Sequence, residues 1–168
     1  MNSTISNATP HEFEELETDR VVPTIKVLMF SVGSLNLGLR IESIYKVLNA
    51  AQIHGSRENW VGLVHLGDRE VTVLDLKRRL FPSKINSDDA PKGYLMVIQN
   101  AKGELYGIPV DIVPALVDVP LPNLRLLPES FRHADTLRIA SHVAVITESE
   151  SEIQMTLFLL DIEALTAV

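Results

Sequence analysis

Short apolar runs separated by turn residues make up most of the sequence, and they constrain the fold more than any other feature. Residues 27–32, 61–66, 71–74 and 94–98 are runs of this kind, and residues 67–70 form a turn signal between two of them. Runs of four to eight apolar residues bounded by turn residues are typical of β-strands. Because helical segments are few and short, the sequence predicts an all-β barrel or sandwich rather than a parallel α/β sheet.

A weak repeat relates the two halves of the chain. The first copy starts at Gly38 and reaches an apolar pair at Val47-Leu48, and the second starts at Gly107 and reaches Leu116-Val117. The spacing between the copies is constant at 69 positions (107 − 38). The halves are therefore interpreted as two versions of one small β unit, with a groove between them of the kind that commonly binds partners.

Three aspartates offer two interpretations. Asp75 and Asp161 each separate a predicted strand from a predicted helix, where a carboxylate can cap free backbone N–H groups, and Asp111 ends a strand. Together they also resemble a carboxylate set for acid–base chemistry. We favour the capping interpretation, because it explains the position of each aspartate separately.

No motif in the sequence indicates catalysis or a cofactor. The five histidines lack metal-ligand spacing, no glycine-rich phosphate loop occurs, and no Gly-x-Ser-x-Gly elbow is found. There is no cysteine, which excludes a disulfide framework, a thiolate metal site and a cysteine nucleophile. The sequence therefore predicts a protein that is not an enzyme and has no metal and no cofactor.

Charge and hydropathy limit the partners. The formal net charge is −7, which disfavours nucleic acid and anionic membranes, and the basic cluster 77–79 is interpreted as a solvated helix face. No apolar stretch approaches the roughly 18–20 residues of a membrane-spanning helix, and the first residues do not resemble a signal peptide. We expect a cytoplasmic protein with no direct membrane insertion.

The first residues differ from the rest in composition. Residues 1–22 are polar and acidic, with four glutamates and an aspartate between positions 12 and 19. This composition predicts a flexible acidic tail, with a helix that docks on a partner as the alternative. The folded domain is expected over residues 23–168.

The stretch 61–81 resembles the CheW-like family of chemotaxis coupling proteins. There the family carries Gly-Val-Ile-Asn-Leu-Arg-Gly, two variable residues and Val-Pro-Val-Ile-Asp-Leu-Arg. The opening with Gly33 and Gly38, the stretch 107–113 and the closing stretch 158–165 resemble the family as well. The resemblance covers the chain from about residue 25 to residue 168.

The resemblance implies two small five-stranded SH3-like β-barrels packed together around a shared core, with short connecting helices and a C-terminal helix. The first barrel is expected at roughly residues 35–90 and the second at roughly 91–160, followed by the helix. It also implies a non-catalytic adaptor in chemotaxis or surface-motility signalling. Its partners would be the regulatory domain of a CheA-type histidine kinase and the cytoplasmic tip of a methyl-accepting chemoreceptor.

The family's receptor groove carries over onto four positions of this sequence, Ile44, Gly62, Leu95 and Leu116. Each of these residues is also explained as ordinary barrel core. Two further positions of the predicted site, Gly67 and Lys46, differ from the family pattern. Thr72, where Pro is usual, is a third departure, and it hardly affects the fold. Gly67 stands where the family has an arginine used in partner binding, and Lys46 stands where an acidic residue is common.

These departures predict a divergent signalling system, such as one that serves twitching or gliding motility. Two alternatives stay open at this point. The chain is a stand-alone regulator that kept the fold but lost the receptor array, or it is a small-molecule-binding barrel. Kinase binding without receptor binding would favour the first, and a ligand that raises the melting temperature would favour the second.

Overall fold

A computed structural model describes residues 21–49, 60–84, 93–133, 137–148 and 150–168, so the predicted acidic tail lies outside the described residues except for Val21 and Val22. The strands are β1 (Thr24–Val32), β2 (Leu35–Arg40), β3 (Ile44–Asn49), β4 (Val61–Leu66), β5 (Arg69–Leu74), β6 (Tyr94–Gln99), β7 (Leu105–Val110), β8 (Ala115–Pro120), β9 (Leu124–Leu126), β10 (Ala140–Thr147) and β11 (Gln154–Leu160). The helices are α1 (Leu76–Leu80), α2 (Glu129–Arg132) and α3 (Ile162–Thr166).

The strands form two sheets. One has six strands in the order β8-β1-β2-β11-β10-β9, and the other has five in the order β3-β6-β7-β5-β4. The prediction of an all-β fold with two strand assemblies and a few short helices is confirmed. The larger sheet has a sixth strand because β9, only three residues long, pairs with β10.

The sheets exchange hairpins, so neither is a continuous segment of the chain. The β1–β2 hairpin joins the C-terminal strands through a parallel pairing of β2 with β11. The β6–β7 hairpin joins the earlier strands β3, β4 and β5 through a parallel pairing of β7 with β5. The expected boundary near residue 90 therefore does not coincide with the division of the strands between the sheets.

The repeat inferred from the sequence is present in this exchanged arrangement. Gly38 of β2 pairs with Met29 on one side and Leu159 on the other, and Gly107 of β7 pairs with Val97 and Val73 in the same manner. The spatial order β8-β1-β2-β11-β10 thus corresponds strand for strand to β3-β6-β7-β5-β4.

Both repeat glycines are required by close packing. A Cβ atom on Gly38 would lie 2.5 Å from Cγ1 of Val27, and one on Gly107 would lie 2.9 Å from Cδ1 of Leu95. Real Cβ atoms essentially never come this close to another heavy atom, so any larger residue would displace the neighbour. Val27 and Leu95 are both fully buried, on equivalent strands of the two sheets.

The buried side chains form three apolar clusters. One cluster, which we call the six-strand barrel core, includes Val27, Val119 and Ile146, and a second, the five-strand barrel core, includes Val64, Val71 and Leu95. The third and largest, the shared core, draws residues from both sheets. Its members include Leu28, Phe30, Leu39, Leu74, Met96, Ile98, Ile108 and Leu160. Neighbouring residues such as Val27 and Leu28 enter different clusters because side chains alternate between the two faces of a strand.

Asp75 and Asp161 cap helices, as the favoured interpretation predicts. The Asp75 carboxylate accepts a hydrogen bond from the backbone N–H of Arg78 at 3.1 Å. The Asp161 carboxylate accepts from the N–H groups of Glu163 at 3.0 Å and Ala164 at 3.3 Å. Asp111 is exposed and lies 4.0 Å from the Lys77 ammonium group, so the three aspartates have separate structural surroundings.

A residue within or directly after each capped helix contacts the turn of an exchanged hairpin. The ring of Phe81, directly after α1, packs so closely on Gly33 between β1 and β2 that a Cβ there would lie 2.7 Å from it. The Glu163 carboxylate of α3 accepts a hydrogen bond from the N–H of Ala101, between β6 and β7, at 2.8 Å. At this second tip, burial and the neighbouring carboxylates of Glu104 and Glu163 raise the pKa of Tyr106. These contacts tie each helix to the hairpin that the opposite sheet has received.

The close packing at Gly38 predicts a measurable coupling with Val27. Gly38→Ala should lower the free energy of unfolding by about 1–3 kcal/mol, because the new methyl group overpacks the six-strand barrel core. Val27→Ala removes the atom that it would meet, so the double variant should be more stable than the sum of the single effects by at least ~0.5 kcal/mol. Urea denaturation of the four proteins measures this coupling, and strictly additive losses would contradict the proposed contact.

Candidate partner-binding surface

Strand β3 is an edge strand that carries apolar side chains at the border of the shared core. Ile44 lies opposite Ile98 and Val47 lies opposite Met96, and both of these partners belong to the shared core. Ile44 itself packs against the shared core, whereas Val47 is 39% exposed. We call this pair the β3 strip.

Strand β8 carries the corresponding side chains at the edge of the other sheet. Leu116 lies opposite Leu28, a member of the shared core, and is 57% exposed. Val113, three residues earlier, is 56% exposed. We call Val113 and Leu116 the β8 strip. Val47 and Leu116 therefore flank the same apolar cluster, each from the edge strand of its own sheet, and Val113 lies in the segment directly before β8.

The two strips are equivalent under the repeat. A shift of 69 positions, the spacing of Gly38 and Gly107, takes Ile44 to Val113 and Val47 to Leu116. Two residues of this surface, Val47 and Val113, were missed by the sequence prediction. The repeat spacing was the signal that would have found them, because each predicted residue of one strip marks its counterpart in the other.

Leu95 differs from the other predicted site residues because its side chain is fully buried. It lies in the five-strand barrel core, opposite Leu48 and against Gly107. The interpretation as ordinary core therefore describes its side chain, which has no surface available to a partner in this structure. Leu95 instead supports the backbone of β3, the strand that carries the first strip.

Gly62 and Gly67 lie together on the β4–β5 hairpin, at the opposite edge of the five-stranded sheet from β3. Gly62 is half-buried and pairs with Val73. The predicted hairpin is confirmed, and its turn is shorter than expected, since Leu66 already pairs with Arg69. Gly67 has a φ of 61° in this turn, a conformation that costs an ordinary residue roughly 1–2 kcal/mol. Glycine at this position thus serves the tight turn.

Lys46 adds a positive charge to β3, on the other face of the strand from the β3 strip, because it pairs with Val97 of the five-strand barrel core. It is exposed, follows a register irregularity after Ile44, and its ammonium group lies 5.7 Å from the centroid of the Tyr45 ring. On the equivalent edge strand, Asp118 forms a 3.0 Å ion pair with Lys26. The two strips are therefore similar in apolar character and different in charge.

Neither catalytic nor metal chemistry is indicated at these surfaces. In the described part of the chain, no group of three or more histidine, aspartate and glutamate side chains is arranged to hold a metal ion. None of the helices among the described residues is both long enough and apolar enough to span a bilayer. The arrangement offers apolar strips, exposed strand edges and a few surface charges, which are the means of protein–protein contact.

The comparison with protein families matches this architecture. The family model for the CheW-like domain matches residues 26–168, a range that contains both strips and the β4–β5 hairpin. The chain belongs to the CheW-like domain family. Proteins of the CheW family are non-catalytic scaffold proteins, which is consistent with the expected lack of an enzyme activity and supports an adaptor role in chemotaxis.

A solved CheW structure has the same fold. The scaffolding protein TtCheW from Thermoanaerobacter tengcongensis superposes with a TM-score of 0.66 at 18% sequence identity. The alignment covers 87% of this chain and 90% of TtCheW, so it includes both sheets of this CheW-like domain. A search of curated protein sequences found no match.

The burial of the predicted site residues in this CheW-like domain predicts different effects on stability. Leu116→Glu should change the free energy of unfolding by no more than about 0.5 kcal/mol, because the side chain is already largely exposed. Leu95→Glu should lower it by more than about 3 kcal/mol, because it buries an unpaired carboxylate in the barrel core. Urea denaturation of both variants checks this contrast, and equal losses would mean that Leu116 belongs to the core.

Proposed function

We propose that this chain is an adaptor that couples the cytoplasmic tip of a chemoreceptor to the regulatory domain of a CheA-type histidine kinase. The match of the CheW-like domain to residues 26–168 is the observation that carries this proposal. A protein with these partners acts in the cytoplasm and needs no chemistry of its own. Its function is to hold two binding surfaces in a fixed relation.

The β3 and β8 strips form the proposed receptor surface. Val47, Val113 and Leu116 are each between 39% and 57% exposed. Val47 and Leu116 pair with members of the shared core, the largest apolar cluster among the described residues. Apolar area that becomes buried stabilises a complex by roughly 25 cal/mol per Å2 before the costs of association. A helical hairpin with an apolar face is the proposed occupant, because its side chains can cover both strips.

The charge of Lys46 on edge strand β3 affects the choice of partner at this edge. Lys46 stands where an acidic residue is common in the family, and it is exposed on β3, on the other face of the strand from Val47. We therefore expect an acidic side chain on the receptor helix where other receptors carry a basic one. Charge complementarity of this kind affects partner choice and association rate more than it affects total affinity.

The β4–β5 hairpin is the proposed kinase surface. Strand β4 is an edge strand with its Leu63 side chain 44% exposed, and the exposed turn at Gly67 follows it directly. The kinase regulatory domain is itself CheW-like, so an edge of its barrel can lie against this edge. Without the family's arginine at position 67, the contact lacks one charged anchor with several hydrogen-bond donors, and apolar contact has a larger part in it.

Calorimetric titration with a receptor-tip peptide from the same cell tests the receptor surface. Val47→Glu and Leu116→Glu should each weaken binding by tenfold or more, because each introduces a charge into a buried apolar contact. Leu126→Glu is the matched control, since Leu126 is 68% exposed on β9, at the edge of the six-stranded sheet opposite β8. Equal losses in all three variants would contradict the assignment of the strips.

Titration with the kinase regulatory domain tests the other surface separately. We expect micromolar binding that Leu63→Glu weakens and that Leu116→Glu leaves unchanged. When the receptor tip is the ligand, Leu116→Glu should weaken binding and Leu63→Glu should leave it unchanged. Failure to bind any regulatory domain of this type would contradict the adaptor proposal.

A stand-alone regulator is the second candidate. The observation in its favour is that Lys46 and Gly67, two positions that the family uses for charged contacts, both depart from the family pattern. Such a protein would bind the kinase domain and no receptor tip. The pair of titrations distinguishes it from the adaptor.

A further inference from the structure

A groove along the free edge of β8 borders the β8 strip, because Leu116 belongs to its lining, whereas no residue of the β3 strip or of the β4–β5 hairpin lines it. It has a volume of about 570 Å3 and lies between β8, the C-terminal end of β10 and the N-terminal end of β11. Its lining includes Met29, Val117, Asp118, Ile146, Glu148 and Met155. The six residues of β8 give it a length of about 20 Å.

Two unpaired strand edges border this groove. Within the described residues, β8 pairs with β1 alone. Strand β10 pairs with β9 at residues 142–144, so residues 145–147 have β11 on one side and no strand from the described part of the chain on the other. A side-chain hydrogen bond from Asn123 reaches the Val145 carbonyl at 3.3 Å. Unpaired N–H and C=O groups of a strand edge are a template for one more strand.

The floor of the groove is apolar and continuous with the six-strand barrel core. Ile146 belongs to that core, and Met29, Val117 and Met155 pack against it while remaining partly accessible. Two of these four side chains are methionines, which adapt to the shape of a ligand more easily than branched residues do. Every second side chain of an added strand would point into this floor.

The rim of the groove is acidic. Asp118 and Glu148 line it, and Glu150 and Glu152 continue the loop that begins at Glu148. Among the described residues, no lysine or arginine lines the groove, although Lys26 forms an ion pair with Asp118. An occupant with positive charges beside its apolar residues therefore matches the rim better than an acidic or neutral one.

We propose that this groove binds an extended segment of a partner protein that carries alternating apolar residues flanked by lysine or arginine. The segment adds a strand between β8 and β10, places its apolar side chains against Met29 and Met155, and directs its basic side chains toward Asp118 and Glu148. This strand addition would close the gap between two edges of the six-stranded sheet.

The chain's own acidic stretch does not have the required chemistry. Residues 12–19 contain five acidic side chains and no basic one, so the rim would repel them. The basic cluster of a second copy is also unsuitable, because Lys77, Arg78 and Arg79 belong to helix α1 and are not extended.

Methionine-methyl NMR of the full chain provides the test. The probe is an acetylated ten-residue peptide of alternating valine and threonine with two lysines at each end. The Met29 and Met155 methyl resonances should shift on titration, and the Met96 resonance should not, because Met96 is fully buried in the shared core. A peptide with glutamate in place of lysine should bind about tenfold more weakly or worse.

Two charge reversals form a matched pair. Glu148→Lys should weaken binding of the lysine peptide about tenfold. Glu70→Lys is the same change at an exposed residue of β5 in the other sheet, and it should leave binding of the peptide unchanged. Equal effects of the two variants, or equal binding of the two peptides, would overturn the proposal. Unchanged Met29 and Met155 resonances at millimolar peptide would overturn it as well.

Two further controls identify the rival occupants. Shifts of Met29 and Met155 on deletion of residues 1–20, without peptide, would mean that the chain's own terminus occupies the groove. Shifts that depend on protein concentration, again without peptide, would mean that a second copy occupies it. Either result would overturn the assignment to a basic partner segment.

Discussion

The shared core between the two sheets is the constraint on which the rest of the structure depends. It contains Phe30 and Leu39 from the six-stranded sheet and Met96 and Ile108 from the five-stranded sheet, all almost fully buried. The two sheets cannot separate without exposing this core. Each sheet is also completed by a hairpin from the other half of the chain, through the parallel pairing of β2 with β11 in one and of β7 with β5 in the other. The β3 and β8 strips are therefore held in one fixed relation, as the proposed coupling role requires.

Local features of the fold were predictable from the sequence because they depend on neighbouring residues. The β4–β5 hairpin follows from two apolar runs around Gly67, and the caps at Asp75 and Asp161 follow from their position between strand and helix. The exchange of hairpins was not predictable in this way, since no local pattern specifies which distant strand β2 or β7 will pair with. The expected division into two consecutive barrels assumes that strands pair in chain order. In the structure, equivalent strands of the two repeats instead take equivalent places in the two sheets.

The predicted site residues show the same contrast between local sequence information and non-local strand pairing. Ile44 and Leu116 lie at the border of the shared core, where partner contact is possible, but Leu95 lies inside the five-strand barrel core. The alternation of side chains along a strand assigns each residue to one of two faces, but it does not show which face is accessible to a partner. In this molecule both faces of the central strands are apolar, because one faces a barrel core and the other faces the shared core. Only the position of a strand within its sheet decides exposure, and that position depends on non-local pairing.

This arrangement also explains why the proposed binding surfaces lie on edges. An interior strand such as β6 has both faces largely buried and both edges paired, so it offers a partner almost nothing. What remains accessible are the edge strands β3, β4, β8 and β9, their turns, and the side chains at the border of the shared core. Such surfaces supply apolar area and unpaired backbone groups rather than convergent reactive side chains. A fold that uses both faces of its strands for its own cores is therefore suited to binding proteins along its edges, and its specificity depends on the few charges that stand there.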